Sequence, residues 1–369
     1  MKKAIVILPT YNEAGNVGII IPQILEQQKN TPGWELGILV VDDNSPDNTA
    51  DKIKDLQKKY KNLHLISGQK EGLGKAYVRG FRHVIDNLHA DALFEMDADL
   101  SHDPNSIPAL LKKFDDGYDI IIGSRYIPGG SIPNNWAFYR KIFSYCGNLV
   151  VRLGFMHPSI HDWTNGFRVM RTSFLPEILE HLEKYNGYVF QIALLDRAVK
   201  LHKKIGEVPI NFQERNAGAS KINSGRYIFD ILTYIFQNSS FIKFGIVGLI
   251  GAILDFGTSF LLIERFVFPV WLATVISAEL AIISNFFLNN YWSFSYKKVD
   301  NSLKSMLQSL VQFNTISIGN ILIQAVLLQT ATVIFPKDYW YIYKIIIIAL
   351  VIIPYSYYLY NKVVWKKKD

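Results

Sequence analysis

Asp97-Ala98-Asp99 stands directly after the apolar run Ala92–Met96. Two carboxylates two residues apart on an extended segment can share one divalent ion, directly or through water. Mg²⁺ and Mn²⁺ favour such oxygen ligands together with substrate phosphates. The spacing alone is weak evidence; its place at the end of an apolar run gives it weight. Two further apolar runs end in polar motifs, Pro9-Thr10-Tyr11-Asn12-Glu13 and Asp42-Asp43-Asn44-Ser45-Pro46-Asp47. For Asp42, Asp43 and Asp47 two readings stand together: ligand binding, and capping of the helix that follows, whose N-terminus favours acidic side chains. A cationic group lies downstream: Gly123-Ser124-Arg125-Tyr126, Asn135-Trp136, Arg140 with Ser144, and Glu214-Arg215 leading to Ser220-Lys221. Arg140 and Ser144 are four apart, so on a helix they share a face. Such cations can grip phosphates, arginine in a bidentate manner; the alternative is scattered surface charge. Lys70–Lys75 lacks the full P-loop spacing. His102, His157 and His161 have no metal-like spacing and read as structural or substrate-adjacent. The single cysteine, Cys146, excludes an intramolecular disulfide framework and a cysteine-rich metal site.

The elements that must position these groups alternate. Short β-rich runs (Ala4–Leu8, Leu36–Val41, Leu63–Ile66, Ala92–Met96, Ile120–Ile122) are separated by helical stretches near Val17–Lys29, Asn48–Tyr60, Gly74–Leu88 and Pro104–Phe114. That order predicts an α/β domain with a mostly parallel sheet and helices on both faces. Ligands of such sheets bind beyond the carboxyl ends of the strands, where all three polar motifs sit.

The rest of the 369-residue chain has a different composition. Residues 1–240 hold 28 Lys and Arg against 26 Asp and Glu; residues 241–369 hold 11 against 6. Most of the net charge of +7 therefore belongs to the second part, which argues against a nucleic-acid partner. No charge occurs from Ser305 to Pro336 or from Ile345 to Asn361. Roughly 20 apolar residues span a bilayer, and four spans are predicted, about 243–263, 269–291, 308–334 and 340–361. Lys297, Lys298 and Lys304 in the middle loop, and Lys362, Lys366, Lys367 and Lys368 in the tail, predict that both face the cytoplasm together with the N-terminal domain. No signal peptide is expected before the apolar run ending at Pro9. The amphipathic stretch Tyr227–Phe236 reads as a juxtamembrane helix. Asp255 and Glu279 fall within spans. They form either a polar site for a lipid headgroup or transported group, or structural hydrogen bonds between helices, with Asn285 or Asn289 as partners. The domain division expected is 1–221, 222–240 (juxtamembrane helix) and 241–369.

Taken in order, the motifs resemble family 2 glycosyltransferases, specifically the dolichol-phosphate mannose synthase branch. The matching pieces are Pro-Thr-Tyr-Asn-Glu (9–13), Val-Asp-Asp-Asn-Ser-Pro-Asp (41–47), Met-Asp-Ala-Asp-Leu-Ser-His (96–102), Gly-Ser-Arg-Tyr (123–126), Asn-Trp-x-x-x-Arg (135–140), Asp-Trp-Thr-Asn-Gly-Phe-Arg (162–168), Gly-Tyr-Val-Phe-Gln (187–191), Ile-Gly-Glu-Val-Pro-Ile (205–210) and Glu-Arg-x-x-Gly-x-Ser-Lys (214–221). Residues 241–365 resemble a GtrA-type four-span module through Lys-Phe-x-x-Val-Gly (243–248), Asp255 and Asn-x-x-x-Asn-x-x-Trp-x-Phe (285–294).

The resemblance implies a GT-A-type nucleotide-sugar-binding domain followed by an all-α transmembrane four-helix domain. It implies inverting, metal-dependent transfer of a hexose to a polyprenyl or dolichyl phosphate, with GDP-mannose the favoured donor and UDP-glucose the alternative. Carried across position by position, Pro9, Tyr11, Glu13, Asp43, Asp97, Ala98, Asp99 and Lys221 would bind the donor. Asp97, Asp99 and Ser101 would hold Mg²⁺ or Mn²⁺, although some relatives carry Gln where this chain has Ser101. Arg125, Arg140, Ser144 and Arg215 would bind the acceptor phosphate, and Asp99, Arg125 and Arg215 would carry the catalysis. Asp162 is expected to orient other groups or touch the donor. Asn290 stands where GtrA-type sequences usually have Arg. The absent Gln-x-x-Arg-Trp signature argues against a processive polysaccharide synthase, and the intact aspartate pair argues against a lipid-sugar flippase or scaffold with a degenerate enzyme domain.

Overall fold

The computed structural model describes residues 1–214 and 224–366, the side chains of 224–227 aside. The chain forms two compact units, Met1–Tyr234 and Ile235–Asp369.

In the first unit, β1 (Lys2–Thr10), β2 (Trp34–Asp42), β3 (Leu63–Ser67), β4 (Ala92–Glu95), β5 (Ile120–Ser124), β6 (Arg168–Arg171) and β7 (Ile205–Pro209) form one sheet in the order β3-β2-β1-β4-β6-β5-β7. All pairings are parallel except those of β6, which runs against both β4 and β5. Strands β1 and β2 are buried on both faces and read as near-continuous apolar runs, as strands covered by helices must. The covering helices of the first half are α1 (Ala14–Glu26), α2 (Thr49–Gln57), α3 (Leu73–His83) and α4 (Ile107–Phe114). Val17, Ile20, Ile21 and Ile24 put the apolar stripe of α1 into a core shared with Val6, Leu8, Ile38 and Val40.

Neither β6 nor β7 is among the strands that the sequence predicts, because four or five residues without a long apolar run leave little periodicity to read. Yet β6 decides the shape of the site. Because it runs opposite to its neighbours, the segment that leads into it, Asp162–Phe167, lies at the rim where β4 and β5 end. Gly123 donates its N–H to the Phe167 carbonyl there at 2.8 Å. The remaining helices of this half are α5 (Phe138–Phe155), α6 (Pro176–Leu182) and α7 (Gly187–Lys200). Helix α8 (Ser224–Asn238) contains the stretch read as juxtamembrane, and the boundary between the two units falls within it.

The second unit has four helical stretches long and apolar enough to cross a membrane: Ser240–Arg265, Val270–Ser293, Leu303–Ile334 and Lys337–Val363. They contain α9 (Ser240–Phe260), α10 (Val270–Leu288), α11 (Leu303–Ile334), and in the last stretch α12 (Trp340–Ile347) and α13 (Ile353–Val363). A wide helical turn at Ile348–Ile352 precedes Pro354, the residue whose missing N–H loosens that helix. Ser239 and Ser302 cap α9 and α11 by accepting N–H groups of Ile242 and Ser305. Trp365 is 1% exposed and stacks on Phe294 at 4.4 Å between ring centres. Its indole N–H donates to Asn290 Oδ1 at 3.0 Å, and Val299 N–H donates to the same oxygen at 2.8 Å. The asparagine thus ties the end of the second span to the start of the tail.

Asp255 and Glu279 take the structural alternative, with other partners than expected. The Ser277 hydroxyl donates to Asp255, and the Asn314 amide donates to both Glu279 carboxylate oxygens at 2.9 and 3.0 Å. Each pair links neighbouring helices.

Candidate active site

The rim beyond β1, β2 and β4 is built from short side chains that hold loops rather than from free acids. At the end of β1, the Thr10 hydroxyl donates to Asp42 at 2.9 Å, and Asp42 also accepts from the backbone and hydroxyl of Ser45 at 2.9 and 2.6 Å. Asp47 accepts the first free N–H groups of two helices, Thr49 of α2 at 3.1 Å and Ala14 of α1 at 3.0 Å. These hydrogen bonds overcome the opposing effect of burial and lower the Asp47 pKa. The capping reading therefore belongs to Asp47. Asp43 is nearly buried and pairs with Arg79 of α3. Burial raises its pKa, against the pull of Arg79. A Cβ on Gly68 would strike the Arg79 guanidinium, so a glycine there lets the arginine lie across the turn. Lys70 stands over the Tyr11 ring at 3.3 Å. Tyr11, Asp43, Lys70 and Arg79 together make a polar, aromatic patch of the kind that takes a nucleoside.

His102 fixes the loop that carries the aspartate pair. Asp97 N–H donates to its Nδ1 at 3.1 Å, so Nε2 carries the proton and donates to Asn165 Oδ1, also at 3.1 Å. Asn165 in turn donates to the Gly123 carbonyl. The imidazole is buried and stacks on Phe167 at 5.0 Å. The His102 ring thus bridges the Asp97 loop to the β6 approach, which fulfils the structural reading of this histidine. Asp99 is 7% exposed and accepts from the Ser101 N–H at 3.0 Å.

Among the described residues no cluster of three or more His, Cys, Asp and Glu side chains assembles. The loop still fits a hard divalent cation: two carboxylates lie two residues apart, and the fully buried Ser101 hydroxyl has no hydrogen-bond partner among the described residues. Substrate phosphate oxygens would complete such a ligand set.

Arg125, at the end of β5, is buried and donates from Nε and Nη2 to the two oxygens of Asp162 at 2.7 and 2.8 Å. Its Nη2 also reaches Thr164 Oγ1 at 2.9 Å. Burial opposes both charges, but each group holds the other ionised: Arg125 is pushed up and Asp162 down. The arginine therefore enters the site with its charge already balanced. Asn148 of α5 joins the same network, donating to Thr164 and accepting from the Trp163 N–H. On the next turns of α5, Ser144 pairs with the Tyr126 hydroxyl, and Arg140 lies over the Trp136 ring at 3.9 Å and 3.8 Å from Glu214. Arg140 and Ser144 do share one helix face. Arg215 and Lys221 lie outside the described residues.

A second buried pair sits behind the aspartate loop. Glu95 at the end of β4 and Arg168 at the start of β6 are register partners, both fully buried. Arg168 donates to the carbonyls of Gln191 and Trp163 at 2.9 and 2.8 Å. Burial pushes Glu95 up to about 8, against Arg168, and draws Arg168 down to about 10. Reading the motifs missed Glu95, Arg79 and the role of Asn165. The signal available for Glu95 was a lone charge inside an apolar strand.

Residues 5–195 match Glycosyl transferase family 2, and residues 243–365 match the GtrA/DPMS transmembrane domain. The chain is 36% identical over 301 residues to the dolichol-phosphate mannosyltransferase of Pyrococcus furiosus, covering 79% of this chain and 81% of that one. It is 37% identical over 225 residues to the undecaprenyl-phosphate mannosyltransferase of Micrococcus luteus, covering 60% and 88%. It is 38% identical over 226 residues to the polyprenol monophosphomannose synthase of Mycolicibacterium smegmatis, covering 60% and 82%. With its mostly parallel seven-stranded sheet and four apolar helices, the chain belongs to the family 2 glycosyltransferases, as a GT-A-type enzyme that carries a GtrA/DPMS transmembrane domain.

Proposed function

We propose that the protein transfers mannose from GDP-mannose to a polyprenyl or dolichyl phosphate at the cytoplasmic face of the membrane, inverting the anomeric carbon. The observation that carries this reading is the meeting, at one sheet rim, of the Asp97–Asp99 loop and the network of Arg125, Asp162, Thr164 and α5. One side suits a nucleoside diphosphate and the other a phosphate acceptor. The names of the relatives support mannose and a lipid phosphate. The Lys-rich loop and tail support the cytoplasmic placement.

Tyr11, Glu13 and Asp43, with Pro9 at the strand end and Ala98 between the aspartates, would line the nucleoside and diphosphate. Asp97, Asp99 and Ser101 would hold Mg²⁺ or Mn²⁺, which when bound offsets the charge on the departing nucleoside diphosphate. Arg140, Ser144 and Arg215 would bind the acceptor phosphate and Lys221 would add charge. Arg125, already balanced by Asp162, would present a rigid guanidinium edge. A phosphate monoester has a second pKa near ~6, so at pH 7 it is mostly a dianion. It attacks without giving up a proton, and no general base is needed. What the protein must supply is positive charge to bring two anions together and alignment of the attacking oxygen with the anomeric carbon. In-line attack then converts an α-linked donor into a β-linked product.

The apolar face of α5 fits this reading. Phe138, Tyr139, Phe143, Leu149 and Leu153 are exposed on the helix that bears Arg140 and Ser144, as suits a surface laid on lipid. The test is a donor panel of GDP-mannose, UDP-glucose and UDP-GlcNAc with polyprenyl phosphate, metal present or chelated. Product from GDP-mannose only, lost on chelation, is expected; product from UDP-glucose alone would reassign the donor.

A further inference from the structure

Glu207 stands in the middle of β7, the edge strand of the sheet, opposite Ile122 of β5. An acid on an edge strand ordinarily points to water, yet the Glu207 side chain is only 8% exposed. Three donors hold its carboxylate. Oε1 accepts the backbone N–H groups of His161 and Asp162, both at 3.0 Å, and Oε2 accepts from His161 Nδ1 at 2.7 Å. Burying a carboxylate is costly unless such donors replace water. Here two of the three donors are the main chain of the segment that carries Asp162.

Asp162 is thereby held at both ends. Its carboxylate accepts from Nε, Nη2 and the backbone N–H of Arg125, the last at 3.1 Å, and from the N–H of Asn165 at 3.1 Å. Its own N–H goes to Glu207. Among the described residues, Asp162 and Thr164 engage Nε and Nη2 of Arg125, which leaves the N–H groups of Nη1 for a ligand. The chain leaving β7 braces the same group of cations. Ile210 N–H donates to the carbonyl of Ser124, beside Arg125, at 3.0 Å, and Glu214 pairs with Arg140.

We propose that Glu207 is a positioning residue for the acceptor phosphate. It fixes the main chain at Asp162, Asp162 fixes Arg125, and Nη1 of Arg125 meets the phosphate oxygens. This inference rests on the proposed assignment of Arg125 to the acceptor. Glu207 touches no substrate itself. Without it the Asp162 segment loses its backbone anchor, and a misplacement of ~1 Å at such a site costs up to about 10²-fold in rate. Donor binding would run through Asp43 and the Asp97–Asp99 loop, not through Glu207.

The test is steady-state kinetics of the full chain in detergent with GDP-mannose and a short-chain prenyl phosphate, beside equilibrium titration of that prenyl phosphate. Glu207→Ala leaves two backbone N–H groups unpaired. It is expected to raise the acceptor KM and Kd by about tenfold or more, with donor KM within about twofold. Glu207→Gln has the same length, keeps an oxygen for both N–H groups and turns its NH₂ to His161 Nδ1 in the other tautomer. It should hold the acceptor KM within about threefold of wild type. His161→Ala removes the imidazole but keeps both backbone N–H groups, and should also stay within about threefold. A loss in His161→Ala equal to that in Glu207→Ala would give the role to the imidazole and overturn the inference. If the alanine variant does not elute as wild type, Glu207→Asp, one methylene shorter, replaces it; the acceptor KM must then rise while the donor KM holds. An unchanged acceptor KM, or donor and acceptor KM raised equally, overturns the inference. A wild-type chain that makes no product sinks the proposed function instead. The titration then still judges Glu207, because equal Kd for prenyl phosphate in wild type and variant, or no binding by either, overturns its role.

Discussion

Changing Asp99 to Asn keeps the side chain's size and its place in the loop while removing a charge that the proposed divalent cation would need. Transfer is expected to fall by about 10²–10³-fold or more, with elution and thermal unfolding unchanged; near-normal turnover would remove Asp99 from the site. Asp162→Asn should behave differently, because it leaves Arg125 buried without its counter-charge. Breaking one side of such a pair costs about 3–5 kcal/mol, so this variant should lose stability as well as activity in denaturant melts. Glu95 offers a pH signature. Its carboxyl group ionises near 4.5 in the unfolded chain and near about 8 when buried. The folded protein therefore holds an extra proton between these values, and stability should fall as pH rises from about 4.5 to about 8, then level off. Arg168, drawn down to about 10, titrates above that window. Glu95→Gln should flatten the slope in melts taken across this range; an unchanged slope would mean that another group sets it.

Helix α5 combines two jobs that its sequence disguises. Arg140, Ser144 and Asn148 face the site network, while Phe143, at 56% exposed, and Leu153, at 58%, face outward. Burying a large apolar side chain contributes about 1.5–3 kcal/mol. Phe143→Glu with Leu153→Glu should therefore slow transfer to membrane-borne acceptor at least tenfold. Transfer to a short-chain acceptor in detergent should stay within about twofold, and global stability should barely move, because neither side chain is in the core. Equal loss in detergent and in liposomes would assign these residues to the catalytic fold instead. The four-residue spacing of Arg140 and Ser144 is legible in the chain, but which face meets the core depends on where Asn148, Val151 and Phe155 pack.

For the whole molecule, the charge bias of its loops makes an accessibility prediction. A cysteine placed at Lys298 in a Cys146→Ser background should be shielded from a membrane-impermeant thiol reagent in intact cells, and one placed at Lys337 should react. The opposite pattern would invert the topology and put the catalytic unit on the other side. Composition drew the four spans well because hydrocarbon imposes a length and a charge limit that each segment must meet by itself. The Asp255 and Glu279 partners were not legible in the same way. Helix neighbours in a membrane follow from packing between segments, and Ser277 and Asn314 carry no local mark of that role.

By itself the sequence determined the alternation of strands and helices, the three polar strand ends, the motif order of the family and the membrane segments. Each is written in contiguous residues through periodicity, chain-local turn chemistry or hydrophobic length. Only the tertiary structure decided that β6 enters the sheet in reverse, which carries Asp162 to Arg125 and Asn165 to His102. It also decided that Asp47 caps two helices while Asp43 pairs with Arg79, and that two asparagines of the second span face a cavity. Those outcomes depend on which distant segments share a rim or a groove, and that is settled by sheet order and helix packing, which no run of neighbouring residues contains.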